Sequence, residues 1–282
     1  MQTKQHWQLE IKPKSGLLDL KLREFWQYRD LLLLFVRREL VPTYKQTILG
    51  PLWFVLQPLL TTLVYSIVFG MVARIPTDGA PQLLFYLPGI VLWNFFSTSF
   101  LKSSSTLVAN THIFGKVYFP RLVIPVSGLL ASMVNFGIQF CLFLVIFSVY
   151  YFTGSKVNPS AWILAFPALI LIVSTYSLGL GLIVSSLTIR YRDLTHFLSF
   201  GVQLLMYATP IIYPASIIPA NYKWVSYVNP LSPIFEAFRF SFLGSGLFNI
   251  LHLLLSFVVG VLIMFIGIVM FNQAQRTSID TV

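Results

Sequence analysis

Apolar residues in this chain gather into long runs, and the breaks between the runs are short and marked by charge, proline or glycine. Stretches near 51–72, 83–101, 122–151, 161–187, 194–213 and 247–271 each approach or exceed the ~20 residues that a helix needs to cross a bilayer. The pattern predicts an all-α, polytopic membrane protein with six transmembrane helices. The fifth stretch is the least regular, because Pro210 and Pro214 interrupt its end. Between the fifth and the sixth lies "ASIIPANYKWVSYVNPLSPIFEAFRFSFLGSG", too broken by proline for one span and too aromatic for a free loop. Short helices dipping into the outer membrane face are expected there.

Ahead of the first span the period changes. In 17–41, Leu18, Leu22, Phe25, Trp26, Leu32, Leu33, Val36 and Leu40 follow helical spacing, and Lys21, Arg23, Arg29, Arg37 and Arg38 form a basic counter-face. That predicts an amphipathic helix lying in the headgroup region rather than crossing it. The chain divides accordingly into a cytoplasmic or interfacial N-terminal segment, 1–50, and a transmembrane domain, 51–282. The junction reads "TYKQTILGPLWFVLQPLL", in which Lys45 is the last charge before Arg74 and Gly50-Pro51 separates leader from span. Proline is tolerated at a helix start, where its missing N–H had no partner. The longest apolar run of the first 50 residues, 31–36, is too short for a signal-peptide core, so insertion is expected to rely on the later spans.

Two spans carry polar residues at a regular interval. Trp53, Gln57, Thr61 and Tyr65 recur every four residues in the first, as do Thr195, Ser199, Gln203 and Tyr207 in the fifth. At 100° per residue each series drifts by only about 40° per step, so each forms one slowly winding face. Lipid cannot satisfy hydroxyl and amide groups, so both faces are expected to meet protein or water. Helix–helix glue and a lined path both fit that requirement. The fourth span is different, since Ser177, Gly181 and Ser185 form a small-residue face suited to close packing.

Composition narrows the function. Only 10% of the residues are charged, against about 25% in an ordinary soluble domain. The net charge of +10 does not point to nucleic acid, because most Lys and Arg residues lie near membrane boundaries. The lone cysteine, Cys141, lies in an apolar run and allows no intrachain disulfide. None of the nine acidic residues falls well inside a predicted span, which argues against an ion-coupled carrier. The histidines at 6, 112, 196 and 252 are scattered without metal-ligand spacing. The nearest approach to a phosphate-binding loop, "FGKVYF", has Val117 where a hydroxyl should reach magnesium. No cofactor is expected on this chain, and any use of ATP would fall to a separate subunit.

The order of several elements resembles the type-2 ABC export permeases that move lipid-linked polysaccharides such as O-antigen. These elements are "LKLREFWQYRDLLLLFVRREL", "YKQTILGPLWFVLQPL", "FPRLVIP", "LTIRYRDL", "ATPIIYP" and "NPLSPIFEAFR". The chain departs from the pattern at Pro42-Thr43, where a basic residue is expected before Tyr44. The resemblance implies a homodimer in the bacterial inner membrane, joined to a separate pair of ABC ATPase subunits that use ATP and Mg. It also implies an interfacial N-terminal helix, short outer-face helices and a lipid-linked polysaccharide as cargo, O-antigen ahead of capsule or teichoic acid. On that basis Trp53, Gln57, Thr61, Tyr65, Gln203 and Tyr207 are expected to line the sugar path. The loop "NTHIFGKVYFPRL" would dock on the ATPase through Phe114, Lys116, Tyr118 and Phe119, with Arg121 at the membrane boundary. Arg192 and Asp193 would tie the second cytoplasmic loop to its neighbours. A membrane-embedded glycan-processing enzyme and a passive channel or scaffold are the competing readings.

Charge sets the expected orientation. Arg74, Lys156, Lys223 and Arg239 are the only basic residues in one set of alternate loops, and the remaining 15 of 19 lie on the other side. That bias places both termini in the cytoplasm. Single-cysteine labelling in a Cys141→Ala background tests it. Positions 116 and 192 should react from the cytoplasm and positions 156 and 223 from outside; cytoplasmic labelling of 156 would sink the six-span topology.

Overall fold

The structure, a computed structural model, describes residues 22–45, 48–114, 118–155 and 157–279. All regular elements among them are helical. Two helices come first, α1 (Leu22–Gln27) and α2 (Arg29–Lys45). Residues 17–21 of the predicted amphipathic helix lie outside the described residues. Gly50, at φ +51°, takes the left-handed turn that a glycine accepts without strain, and Pro51 opens the next helix. The first long element is a 3₁₀ turn (Gly50–Leu52), α3 (Trp53–Tyr65) and a π-helical stretch (Ser66–Val72), run end to end.

α4 (Gln82–Ser104) follows a tight loop, then come two one-turn helices, α5 (Thr106–Ala109) and α6 (Thr111–Phe114), and the long α7 (Val123–Phe152). α8 (Phe166–Thr188) is entered through a 3₁₀ turn (Ala161–Ala165). α9 (Leu194–Ala208), α10 (Lys223–Val228), α11 (Ser232–Leu243) and α12 (Ile250–Ile279) complete the chain. Five of these elements are long and apolar enough to cross a membrane: 50–72, 82–104, 123–152, 161–188 and 250–275.

The predicted fifth span, 194–213, stays helical only to Ala208. Thr209 is extended (φ −100°, ψ 140°), as the residue before a proline tends to be. The 15 residues of α9 reach about 22 Å, short of a hydrocarbon core of about 30 Å.

α4 and α8 form the centre. α4 is buried on nearly every side from Leu84 to Trp93, as a helix that is hydrophobic all round must be. α8 lies against α4 on one side and α12 on another. Small residues allow both approaches. A Cβ on Gly181 would lie 2.4 Å from Ser103 Cβ of α4, and one on Gly179 would lie 2.7 Å from Met264 Cα of α12. Ser177 and Ser185 are fully buried on the same helix, so the small-residue face read from the sequence is a packing face.

The α8–α12 crossing gives a sharp test. Gly179→Ala drives a methyl into backbone and should cost about 1–3 kcal/mol. Gly137, on α7, has nothing within 4 Å of its missing Cβ, so Gly137→Ala should be neutral or stabilise by up to ~1 kcal/mol. Unfolding of the purified protein in mixed micelles measures both. Equal effects would show that the crossing is looser than it looks.

Candidate functional site

The two polar series occupy surfaces that the single chain leaves uncovered. Trp53 is 44% exposed and Tyr207 49%, with Gln57, Ser199 and Gln203 also exposed and Thr61, Tyr65 and Thr195 half-buried. The Thr61 hydroxyl donates back to Gln57 O at 2.9 Å, and that of Thr195 to Arg192 O at 2.7 Å, so both are satisfied by their own helix. Gln57, Gln203 and the Trp53 indole carry the polar capacity that faces outward. The series meet at one end only, where Tyr65 Oη contacts Met206 Sδ at 3.8 Å and the Tyr65 ring stands edge-on to Tyr86. Besides His196, the rest of the exposed α9 surface is mainly apolar and aromatic, with Phe197, Phe200 and Leu204 all more than half exposed.

The segment between α4 and α7 is bound to its surroundings. Phe119 is buried, its ring 5.8 Å from Phe35 of α2 and 5.9 Å from Phe114. Arg121 lies over the Phe114 ring at 5.0 Å and donates through Nη1 to Gln275 O of α12 at 3.2 Å. Burial lowers its pKa from the ordinary arginine value, but arginine keeps its charge at any physiological pH. Lys102 Nζ pairs with Glu39 Oε2 at 3.3 Å, Arg38 Nη2 donates to Asn110 Oδ1 at 3.4 Å, and Leu107 N donates to Ser185 Oγ at 3.2 Å.

Phe114 and Phe119 are therefore turned inward, and α2 lays its Phe35 side on protein while Trp26, Leu33 and Leu34 remain exposed. Tyr118 is 59% exposed and Val108 41%. Arg190, Tyr191, Arg192 and Asp193 of the second loop are exposed too, with Arg190 over the Tyr191 ring at 5.6 Å. Lys116 lies outside the described residues. Among the described residues no group of three or more His, Cys, Asp or Glu could hold a metal ion.

Sequence reasoning missed a buried charge pair on α11. Arg239 and Glu236 are 2% and 3% exposed, and Arg239 Nη1 donates to Glu236 Oε1 at 3.0 Å. Nη2 donates to Pro210 O at 2.7 Å and Ile211 O at 3.0 Å, and the guanidinium lies 4.0 Å from the Phe85 ring centroid. Glu236 in turn accepts from Ala215 N (Oε1, 3.3 Å) and Leu247 N (Oε2, 2.9 Å). Nearby, Asn229 Nδ2 donates to Ala208 O and Thr209 Oγ1, and Tyr213 Oη donates to Tyr207 O. An acid and an arginine at i and i+3 within the aromatic "FEAFR" were the one available signal.

Comparison with known proteins agrees with this architecture. Residues 30–243 match the ABC-2 type transporter family. The chain is 30% identical over 246 residues to the O-antigen export system permease protein RfbA of Klebsiella pneumoniae, covering 87% of this chain and 92% of the relative. It is 36% identical over 197 residues to the protein of the same name from Myxococcus xanthus, covering 70% and 73%. It is 26% identical over 217 residues to the inner membrane transport permease YadH of Escherichia coli K12, covering 74% and 81%. A multi-pass helical chain whose matched region runs from α2 to the end of α11, this protein belongs to the ABC-2 type transporter family.

Proposed function

We propose that this chain is the membrane-spanning permease subunit of an ATP-driven exporter, carrying a lipid-linked polysaccharide of the O-antigen class from cytoplasm to periplasm. The observation that carries the reading is the likeness to two O-antigen export permeases over most of the chain. The exposed polar-aromatic faces of α3 and α9 support it. Trp53, Gln57, Gln203 and Tyr207 would be costly against lipid, and a second copy of the chain related by a two-fold axis would enclose them. Aromatic faces pack on the C–H faces of sugar rings, and the two amides exchange hydrogen bonds with passing hydroxyls. Individually weak contacts suit a path that must release what it holds.

On this reading the chain lies in the inner membrane with both termini in the cytoplasm. α9 and the extended chain after it make the fifth of six crossings, α11 dips in from the outer face, and α1–α2 rest at the cytoplasmic interface. ATP and Mg are held by the separate ATPase subunit, and hydrolysis occurs there. Tyr118, Val108 and Tyr191 form the docking surface. Phe35, Phe119, Phe114 and Arg121 pass the stroke inward to α2 and α12. Co-purification of an ABC ATPase, with polymer export by the pair in vesicles, tests the assignment as a whole.

Tyr118 and Phe119 should separate docking from folding. Tyr118→Ala removes an exposed side chain and should weaken ATPase binding about tenfold, roughly 1.4 kcal/mol, with normal protein abundance. Phe119→Ala removes a buried one and should cost about 3–5 kcal/mol of stability. Pull-down affinity against abundance in membranes distinguishes them, and the reverse order would count against this docking surface.

The path residues are separable from a plain dimer seam. Trp53→Ala and Gln203→Ala should slow export severalfold while the dimer survives detergent, each losing about 1–2 kcal/mol of contact with the moving chain. Leu262→Ala, on the exposed face of α12, should change neither. Dimers that dissociate before export falls would assign the stripe to subunit contact alone.

A further inference from the structure

The end of α9 faces a general problem of helices at membrane depth, because its last carbonyls have no partner within the helix. Here side chains take the last two, Tyr207 O by Tyr213 and Ala208 O by Asn229, and Arg239 takes Pro210 O and Ile211 O of the chain that follows the helix. A cation at a helix C-terminus also suits the helix dipole. Arg239 stays buried because Glu236 neutralises it, and the second Glu236 oxygen reaches beyond α11 to the backbone of Leu247. Ile211 is fully buried, its side chain 3.2 Å from where a Cβ on Gly89 of α4 would stand. At the surface Ser216 Oγ donates to Asp78 Oδ1 at 2.8 Å, closing the ring of contacts onto the loop between the first two spans. Parting any buried piece of this network strands a charge or a carbonyl without water to replace its partner.

We propose that Glu236 and Arg239 are positioning residues for export, which hold residues 207–216 as a preformed, immobile rim at the outer end of the path. The proposal rests on the export reading above. Neither residue touches the passing polymer; they act through Tyr207 and the chain that follows it. The polarity of the network is specific, since Arg239 must donate to two carbonyls and one carboxylate at once. A lysine keeps the charge but presents a single nitrogen, and cannot fill the same three positions.

The test puts a covalent pin where Ser216 meets Asp78, first with the charge pair intact and then with Arg239 altered. Asp78→Cys and Ser216→Cys are introduced together in a Cys141→Ala background, co-expressed with the ATPase, and polymer export is measured before and after oxidation. Oxidation should leave export within twofold of the reduced form, because the rim has no need to move. In the same background Arg239→Lys should cut export about tenfold with normal dimer and ATPase assembly, and oxidation should restore most of it, which a purely structural loss would not allow. Two results overturn the proposal: oxidation that blocks export in the Arg239 protein, or a formed disulfide that fails to restore the lysine variant. Should the lysine variant not assemble, the first arm still decides. Absence of polymer export by the Cys141→Ala parent with its ATPase would count against the export reading instead.

Discussion

Helices inside a bilayer gain little by turning apolar surface toward one another, because lipid tails offer the same environment. What holds this chain together is close approach, and close approach depends on α8. With Gly179 against the α12 backbone and Gly181 against Ser103 of α4, α8 brings two neighbours near enough for dense dispersion contact. Tyr176, on the same helix, adds a hydrogen bond from its hydroxyl to Ser256 O of α12 at 2.6 Å. α4, α8 and α12 thus form the fixed part of the fold. α3 and α9 lie at its edge, where much of their surface is left uncovered.

The second constraint comes from the backbone. Pro210 ends α9 early, and the carbonyls released there must be satisfied in a place where water is scarce. The chain meets this with side chains drawn from α11 and its approach. A buried ion pair is weak evidence of stability in general. Its value here lies in the donors it supplies, since an apolar pair in the same space would leave Pro210 O and Ile211 O unpartnered.

The spans were legible because apolar run length reports directly on bilayer thickness, and five of the six stretches lie within a few residues of observed helices. The fifth was drawn too long because "PIIYPASIIP" remains apolar after helical geometry has ended, and hydropathy does not register the turn that Pro210 imposes. The N-terminal pattern did not show which side chains meet protein: Phe35, outside the expected apolar face, packs on Phe119, while Trp26 and Leu33 within it are exposed. Tyr118 and Phe119 look alike in sequence and differ completely in burial. The i, i+3 spacing of Glu236 and Arg239 hints at their pairing, but the backbone groups that complete it, at 210, 211, 215 and 247, leave no side-chain pattern.

The π-helical stretch after Tyr65 limits the winding of the first polar face. In an α-helix a step of four residues overshoots a full turn by about 40°, and the series from Trp53 to Tyr65 winds forward at that rate. Over Ser66–Val72 the hydrogen bonds skip to the fifth residue, the turn widens, and the same step falls short of a full turn. The winding therefore reverses at Tyr65, and position 69 swings back toward the angle of Thr61 instead of moving on by another ~40°. Backbone geometry limits how far this face wraps around the helix, before any side chain is chosen.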